Sequence, residues 1–294
     1  MPSEVDRFSY GAVTPAAAYL MACLGSALGL RCLVRTMRPH QSRKPGWLAM
    51  GAASIGCGIW TMHFIAMTGF TIEGAPIAYG VGLTVLSLVV AVAVVGVGVF
   101  VVGYYGSSPG VLAMAGATTG LGVAAMHYMG MAAMNFDGHV RYSATGVALS
   151  VLVAIAAAAA ALWAAVSIRG FGSSLAASLV MGGAVTGMHY TGMAAASFHS
   201  YHLTGYGFDG RSPLSLLLPM LIGPVIFLTL AAVVVMFDPV LVTDRTADSR
   251  RRATAHPGSG DTSLRHDGLA SFEVDLFSVG SDPHRQPTSG ARSP

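Results

Sequence analysis

Long apolar runs separated by short polar gaps fill the chain up to about residue 236, and seven of the runs approach or exceed the roughly 20 residues that a membrane-spanning helix needs. They cover residues 12–30, 47–70, 77–103, 110–134, 145–168, 175–198 and 214–236. A transmembrane β-barrel requires apolar and polar residues in strict alternation. Stretches such as Leu86 to Val102 and Ala154 to Val166 show none of it. With no water in the hydrocarbon to satisfy the backbone, helices are the remaining spanning element. The pattern predicts an all-α membrane protein of seven transmembrane helices, with residues 1–11 ahead of them, a membrane domain over 12–236 and a tail over 237–294.

Composition agrees with that class. Of 294 residues, 53% are hydrophobic and 10% charged, a balance far from that of a soluble domain. Between residues 12 and 236 the acids are Glu73, Asp137 and Asp209, each in a gap between runs. The first ten residues carry Glu4 and Asp6 against Arg7, which is not the basic leader of a cleaved signal. The first run is therefore expected to remain as a helix. Basic residues in short loops stay in the cytoplasm. Arg31, Arg35, Arg38, Arg43, Lys44 and Arg169 on one side, against Arg141 and Arg211 on the other, predict an N-terminus outside and a C-terminus inside.

The tail holds eight of the thirteen acids and seven of the sixteen basic residues amid Pro, Gly, Ser and Thr, the composition of a disordered segment. Its one apolar patch, Leu269 to Val279, is read either as a docking segment or as incidental. No basic surface with interleaved aromatics points to nucleic acid. Cys23, Cys32 and Cys57 sit in or at the ends of apolar runs without C-x-x-C spacing, so they read as buried thiols.

Inside the apolar runs one phrase, M-H-x-x-x-M, occurs three times: Met62, His63 and Met67; Met126, His127 and Met131; Met188, His189 and Met193. The histidines are 64 and 62 residues apart and each follows a glycine by seven positions, Gly56, Gly120 and Gly182. That is an internal repeat of a helical pair, present three times with the seventh helix left over. It suggests a pseudo-threefold bundle.

Residues four apart share a helix face, so each His is stacked with its later Met, and the preceding Met points about 100° away. Below the histidines the same columns continue with Ile59, Val123 and Val185 and then with the glycines. Small residues let helices approach in lipid, from which the three columns are expected to converge. The histidines should then lie at one depth, with Met67, Met131 and Met193 a turn further out.

Ionisable side chains within a membrane are costly and mark function by default. Imidazole with thioether suits copper, Cu(I) above all, and not magnesium or calcium. Structural hydrogen bonding between helices, proton sensing and ligation of a haem by two of the histidines are the other readings these residues allow. Lys44 is the only lysine and lies in an inner loop, which excludes a retinal Schiff base. No membrane-embedded acid is present for a proton relay and no hydrolase triad assembles, so no enzyme is expected. His139, His199 and His202, in outer loops with Asp137 and Asp209, read equally as metal-capturing or as ordinary solvated residues.

Met188-His189-Tyr190-Thr191 spells the motif after which the MHYT family of bacterial integral membrane sensor domains is called, and the chain resembles that family from about residue 12 to 236. The resemblance implies three motifs near the outer face of a six-helix unit, a further helix, copper bound at the motif residues and a diatomic gas as the sensed ligand. The first copy departs from the pattern, with Phe64 where Tyr128 and Tyr190 stand in the others. Family members commonly continue into a cytoplasmic signalling enzyme, whereas here the tail follows, so a separate cytoplasmic partner is expected. Two further functions are open at this stage: a copper transporter or metallochaperone, and a structural scaffold without metal. Inward of the motif Met50, Met114, Cys57 and Met181 lie at helical angles that do not repeat across all three copies, which favours a closed site over a conduit.

Overall fold

A computed structural model describes residues 11–36, 44–72, 77–167, 170–200 and 213–237. The tail and its expected disorder lie outside the described residues, as do Glu73, His202 and Asp209. The helices are α1 (Val13–Thr36), α2 (Lys44–Thr68), α3 (Val81–Tyr105), α4 (Pro109–Ala132), α5 (Ala144–Ser167), α6 (Phe171–Ala194) and α7 (Pro213–Met236). Each falls within a few residues of a predicted run. The largest extension is at α1, which carries the charged Arg31 and Arg35 before it ends. Long cationic side chains at a helix end reach the interface without breaking the helix.

The expectation of purely helical structure is corrected in the gaps. Among the described residues four short strands occupy them: β1 (Ala78–Tyr79), β2 (Met134–Asn135), β3 (Gly138–Tyr142) and β4 (Ala196–Ser200). β1 pairs antiparallel with β2, and β3 with β4. Segments read as helix, 77–80 and 196–198, are apolar because Tyr79 and Phe198 are buried, not because the helices continue. These strands follow the C-termini of α2, α4 and α6. Their pairing is reinforced by the amides of Gly80 and Ser143, which donate to the carbonyls of Ala133 and Ala195 at 2.8 Å.

Helices α1 to α6 pack in sequence order, each on the next, and α6 closes the ring on α1, while α7 lies against α1 and α2. The −7 glycines explain the closeness of the ring. A Cβ on Gly56 would lie 2.8 Å from the Val92 Cα on α3, one on Gly120 would strike the Ile155 backbone on α5, and one on Gly182 would strike Cys23 on α1. Each even-numbered helix is thereby keyed to the helix that follows it around the ring. The glycines thus seat neighbouring helices and do not bring the three motif columns together. Gly25 and Gly58 make a further backbone contact between α1 and α2, where an added Cβ on Gly25 would meet the Gly58 Cα at 2.6 Å.

Apolar side chains point out of this ring as well as into it. Leu83, Val85, Leu86 and Val89 on α3, Leu149 and Leu152 on α5, Leu179 and Val180 on α6, and Ile222 and Ile226 on α7 are exposed. Such a surface is untenable in water and suits lipid. Six of the seven helices are long and apolar enough to cross a membrane: α1 to α5, and residues 217–236 of α7. α6 is not among them; it has as many glycines as α4 and carries Ser173, Ser174 and Ser178 besides. Cys23, Cys32 and Cys57 are buried, as the sequence implied.

Candidate metal centre

The three histidines stand five residues before the ends of α2, α4 and α6, at Thr68, Ala132 and Ala194. Because those helices share one direction and equivalent places in the ring, their imidazoles arrive at one level from three sides. The Nδ1 atoms are 3.0 Å apart between His63 and His189, 3.2 Å between His127 and His63, and 3.3 Å between His189 and His127. The rings stand at 81–88° to one another with centroids 4.9–5.1 Å apart, and each residue is 1% exposed. Among the described residues this is the group of three or more His, Cys, Asp or Glu side chains that could hold a metal ion.

Neutral imidazole has one N–H and one lone pair, each fixed in the ring plane. Three Nδ1 atoms aimed at one point cannot share their protons pairwise around the triangle. If all three present lone pairs, the protons sit on Nε2, and the Nε2 atoms of His63 and His127 are buried without a hydrogen-bond partner. An ion at the centre removes the conflict on the Nδ1 side. The centre of a triangle with edges of 3.0–3.3 Å lies edge/√3, about 1.8 Å, from each nitrogen, close to the ~2.0 Å of a metal–imidazole bond. The donor set therefore fits a metal ion.

What seats the rings was not read from the sequence. A Cβ on Gly130 would strike Nε2 of His63, and one on Gly192 would strike Nε2 of His127. Both glycines stand three residues after the histidine of their own helix and accommodate the ring of the preceding copy. The first copy has Ala66 at that position. The signal was available, since copies two and three read M-H-Y-x-G-M, but it was hidden by the stronger M-H-x-x-x-M frame.

The residue after each histidine stands edge-on to the imidazole: Phe64 at 4.7 Å, Tyr128 at 4.9 Å and Tyr190 at 5.0 Å between centroids. Phe64 thus fills the same place and lacks the hydroxyl alone. In the second copy that hydroxyl ties α4 to α5 through Ser150 at 2.7 Å. In the first, the Trp60 indole N–H donates to Ser87 of α3 at 2.9 Å, making the same tie from a different residue. In β3, burial pushes the Tyr142 phenol above its ordinary range, and the neighbouring Tyr128 adds to the effect.

Met62, Met67, Met126, Met131 and Met188 are buried in the core, and Met193 is partly buried against it. Of the expected inward column, Ile59, Val123 and Val185 line a cavity of about 50 Å³ at the centre of the ring, with Met181 and Met188 also on its wall, whereas Gly56, Gly120 and Gly182 face neighbouring helices. Ser26 and Thr119 supply its few polar atoms.

A multi-pass helical membrane protein with three buried imidazoles at one end of a pseudo-threefold ring is the class that fold and site define. Residues 56–115 and 120–178 match the MHYT family, described as a bacterial signalling protein N-terminal repeat. These two segments are copies of that family's repeat. The matched segments begin at Gly56 and Gly120, and Gly182 opens the third copy in the same register. Among curated proteins it is 38% identical over 195 residues to the bifunctional diguanylate cyclase/cyclic di-GMP phosphodiesterase MucR of Pseudomonas aeruginosa, covering 65% of this chain and 28% of that protein. It is 41% identical over 208 residues to the cyclic di-GMP phosphodiesterase NbdA of the same organism, covering 66% and 26%. With the signaling protein YkoW of Bacillus subtilis the identity is 30% over 191 residues, covering 61% and 23%. The chain spans between about a fifth and a third of the length of these relatives. No solved structure matches it.

Proposed function

We propose that the bundle is the sensory part of a bacterial membrane signalling system, holding one metal ion, copper by preference, on Nδ1 of His63, His127 and His189. The observation that carries this reading is the triangle of three buried nitrogens with edges of 3.0–3.3 Å. Three nitrogens leave a coordination position open, and copper bound there supplies an open site for a diatomic gas and a change of oxidation state. The soft thioethers of Met62, Met67, Met126, Met131, Met188 and Met193 are the candidates from which a further ligand would come in this reading. The protein's own residues hold the imidazoles, exclude water and keep the site dry.

In this reading all seven helices span the membrane, α6 included, because α6 occupies the same place in the ring as α2 and α4 and exposes Leu175, Leu179 and Val180. The motif end then faces outside with the N-terminus, and the C-terminus is cytoplasmic, as the loop charges require. The bundle itself is not a catalyst. It reports to a cytoplasmic partner, and cyclic-di-GMP turnover, named for two of the relatives, is the class of output assigned to that partner. Sensing is favoured over copper transport because the chamber below the histidines is walled mainly by aliphatic side chains, Ile59, Val123 and Val185 among them, and its two thioethers, Met181 and Met188, both come from α6, with no counterpart from α2 or α4.

The test is elemental analysis of the detergent-purified protein beside the His63→Ala/His127→Ala/His189→Ala variant. Copper in the wild type and none in the variant is the expected result. Equal copper in both would refute the site, and copper uptake into vesicles abolished by His63→Ala would replace sensing by transport.

A further inference from the structure

A second pair of imidazoles lies outside the buried centre. In the β3–β4 ladder His139 and His199 are directly opposed, and their rings are stacked with centroids 4.9 Å apart and planes 7° from parallel. The inward positions of the ladder are held by Val140 and Phe198, also directly opposed, with Phe198 buried against Phe70 at 4.7 Å. Alternation along a strand puts His139 and His199 on the opposite, outward face. His199 is exposed and His139 half-buried.

We propose that His139 and His199 form a second metal site, a surface chelate for a divalent first-row ion with preference for Cu(II). Directly opposed residues of an antiparallel pair have Cβ atoms about 5 Å apart, which is the span two imidazoles bridge when they bind one ion. In the stacked arrangement the two ring planes are parallel and share no in-plane point, so each ring turns about its side-chain bonds until its lone pair meets the ion. The exposure of His199 leaves room for that rotation. Copper heads the affinity order for nitrogen donors, and two imidazoles with solvent in the remaining positions suit its tetragonal Cu(II) form. The charges nearest along β3 are opposite in sign, Asp137 just before the strand and Arg141 within it, so neither sign dominates the pair.

The position gives the site a use. β3 follows α4 and β4 follows α6, so the pair stands 12 residues after His127 and 10 after His189, at the same end of the bundle as the buried centre. An ion held here is captured at the surface above that centre, and it clamps together the segments that leave two of its three helices.

The experiment titrates Cu(II) into the detergent-purified full chain and follows electron paramagnetic resonance. The expected result is an axial Cu(II) signal with splitting from two nitrogens, additional to any metal the chain already holds. His199→Gln or His139→Gln removes one of two direct ligands and weakens this binding by at least the roughly tenfold that loss of an outer-shell partner costs, and the double variant abolishes it. Circular dichroism and tightly held metal stay unchanged in these variants, and His63→Ala leaves the two-nitrogen signal in place. A double variant that binds Cu(II) like the wild type, or a wild type that shows no two-nitrogen signal, overturns the proposal. Neither result bears on the buried centre, whose own test is metal content.

Discussion

Adding one methyl group at Gly130 is the sharpest probe of how the buried imidazoles are held. A Cβ there clashes with the His63 Nε2 atom, and one at Gly192 with His127 Nε2. Ordinary carbon–nitrogen contact needs about 3.5 Å, so the ring must retreat by about 1 Å or more. It cannot move toward the centre, where its Nδ1 already lies 3.0–3.2 Å from two others. It must swing, and its lone pair then leaves the common point. Overpacking of this kind costs roughly 1–3 kcal/mol, and disturbing the support of a metal ligand costs roughly 10–100-fold in affinity.

Gly130→Ala and Gly192→Ala are therefore each expected to weaken metal binding by about that factor, read by competition with a chromophoric chelator. Gly187→Ala is the matched control, since a Cβ at Gly187, two residues before His189, meets nothing within 4 Å. It should bind as the wild type does. Ala66→Gly enlarges the equivalent position in the first copy and should not weaken binding. If Gly130→Ala and Gly192→Ala fold and retain wild-type affinity, the glycines do not seat the rings and the account of the centre's geometry fails.

Metal loading should fall as the medium is acidified, because imidazole binds in its neutral form and releases the ion on protonation; retention of the full complement at acid pH would argue against imidazole ligation. Tyr128→Phe removes the 2.7 Å bond to Ser150 and is expected to lower stability by about 0.5–1.5 kcal/mol with metal content unchanged, as measured by thermal unfolding beside elemental analysis. Phe64→Tyr, which restores the hydroxyl of the other two copies, should leave metal affinity unaltered. Gly25→Ala brings a methyl to 2.6 Å from the Gly58 Cα, and a loss of about 1–3 kcal/mol is expected from the separation of α1 and α2.

Why some of this was legible in the sequence and some was not follows from what each signal measures. Helix positions could be read because lipid demands a continuous apolar run, and the histidines could be placed together because a repeat in three helices of one direction allows few other arrangements. The role of the −7 glycines could not be read that way. A seven-residue step returns to within about 20° of the histidine's direction on a straight helix, which suggests that Gly56 and His63 face the same neighbour. In the bundle Gly56, two turns before His63 along α2, instead meets Val92 on α3. Contacts between helices depend on crossing geometry that one helix's periodicity does not contain. The strands were missed for a related reason: Tyr79 and Phe198 are apolar because they cover the end of the bundle, and burial beneath a strand reads in sequence like burial along a helix. The Gly130–His63 and Gly192–His127 contacts join residues about 65 positions apart, so spacing within one copy could not reveal them. They nevertheless help to turn three histidines at one level into three nitrogens at one point, because the glycines of the second and third copies fix the rings of His63 and His127, each supplied by the copy before.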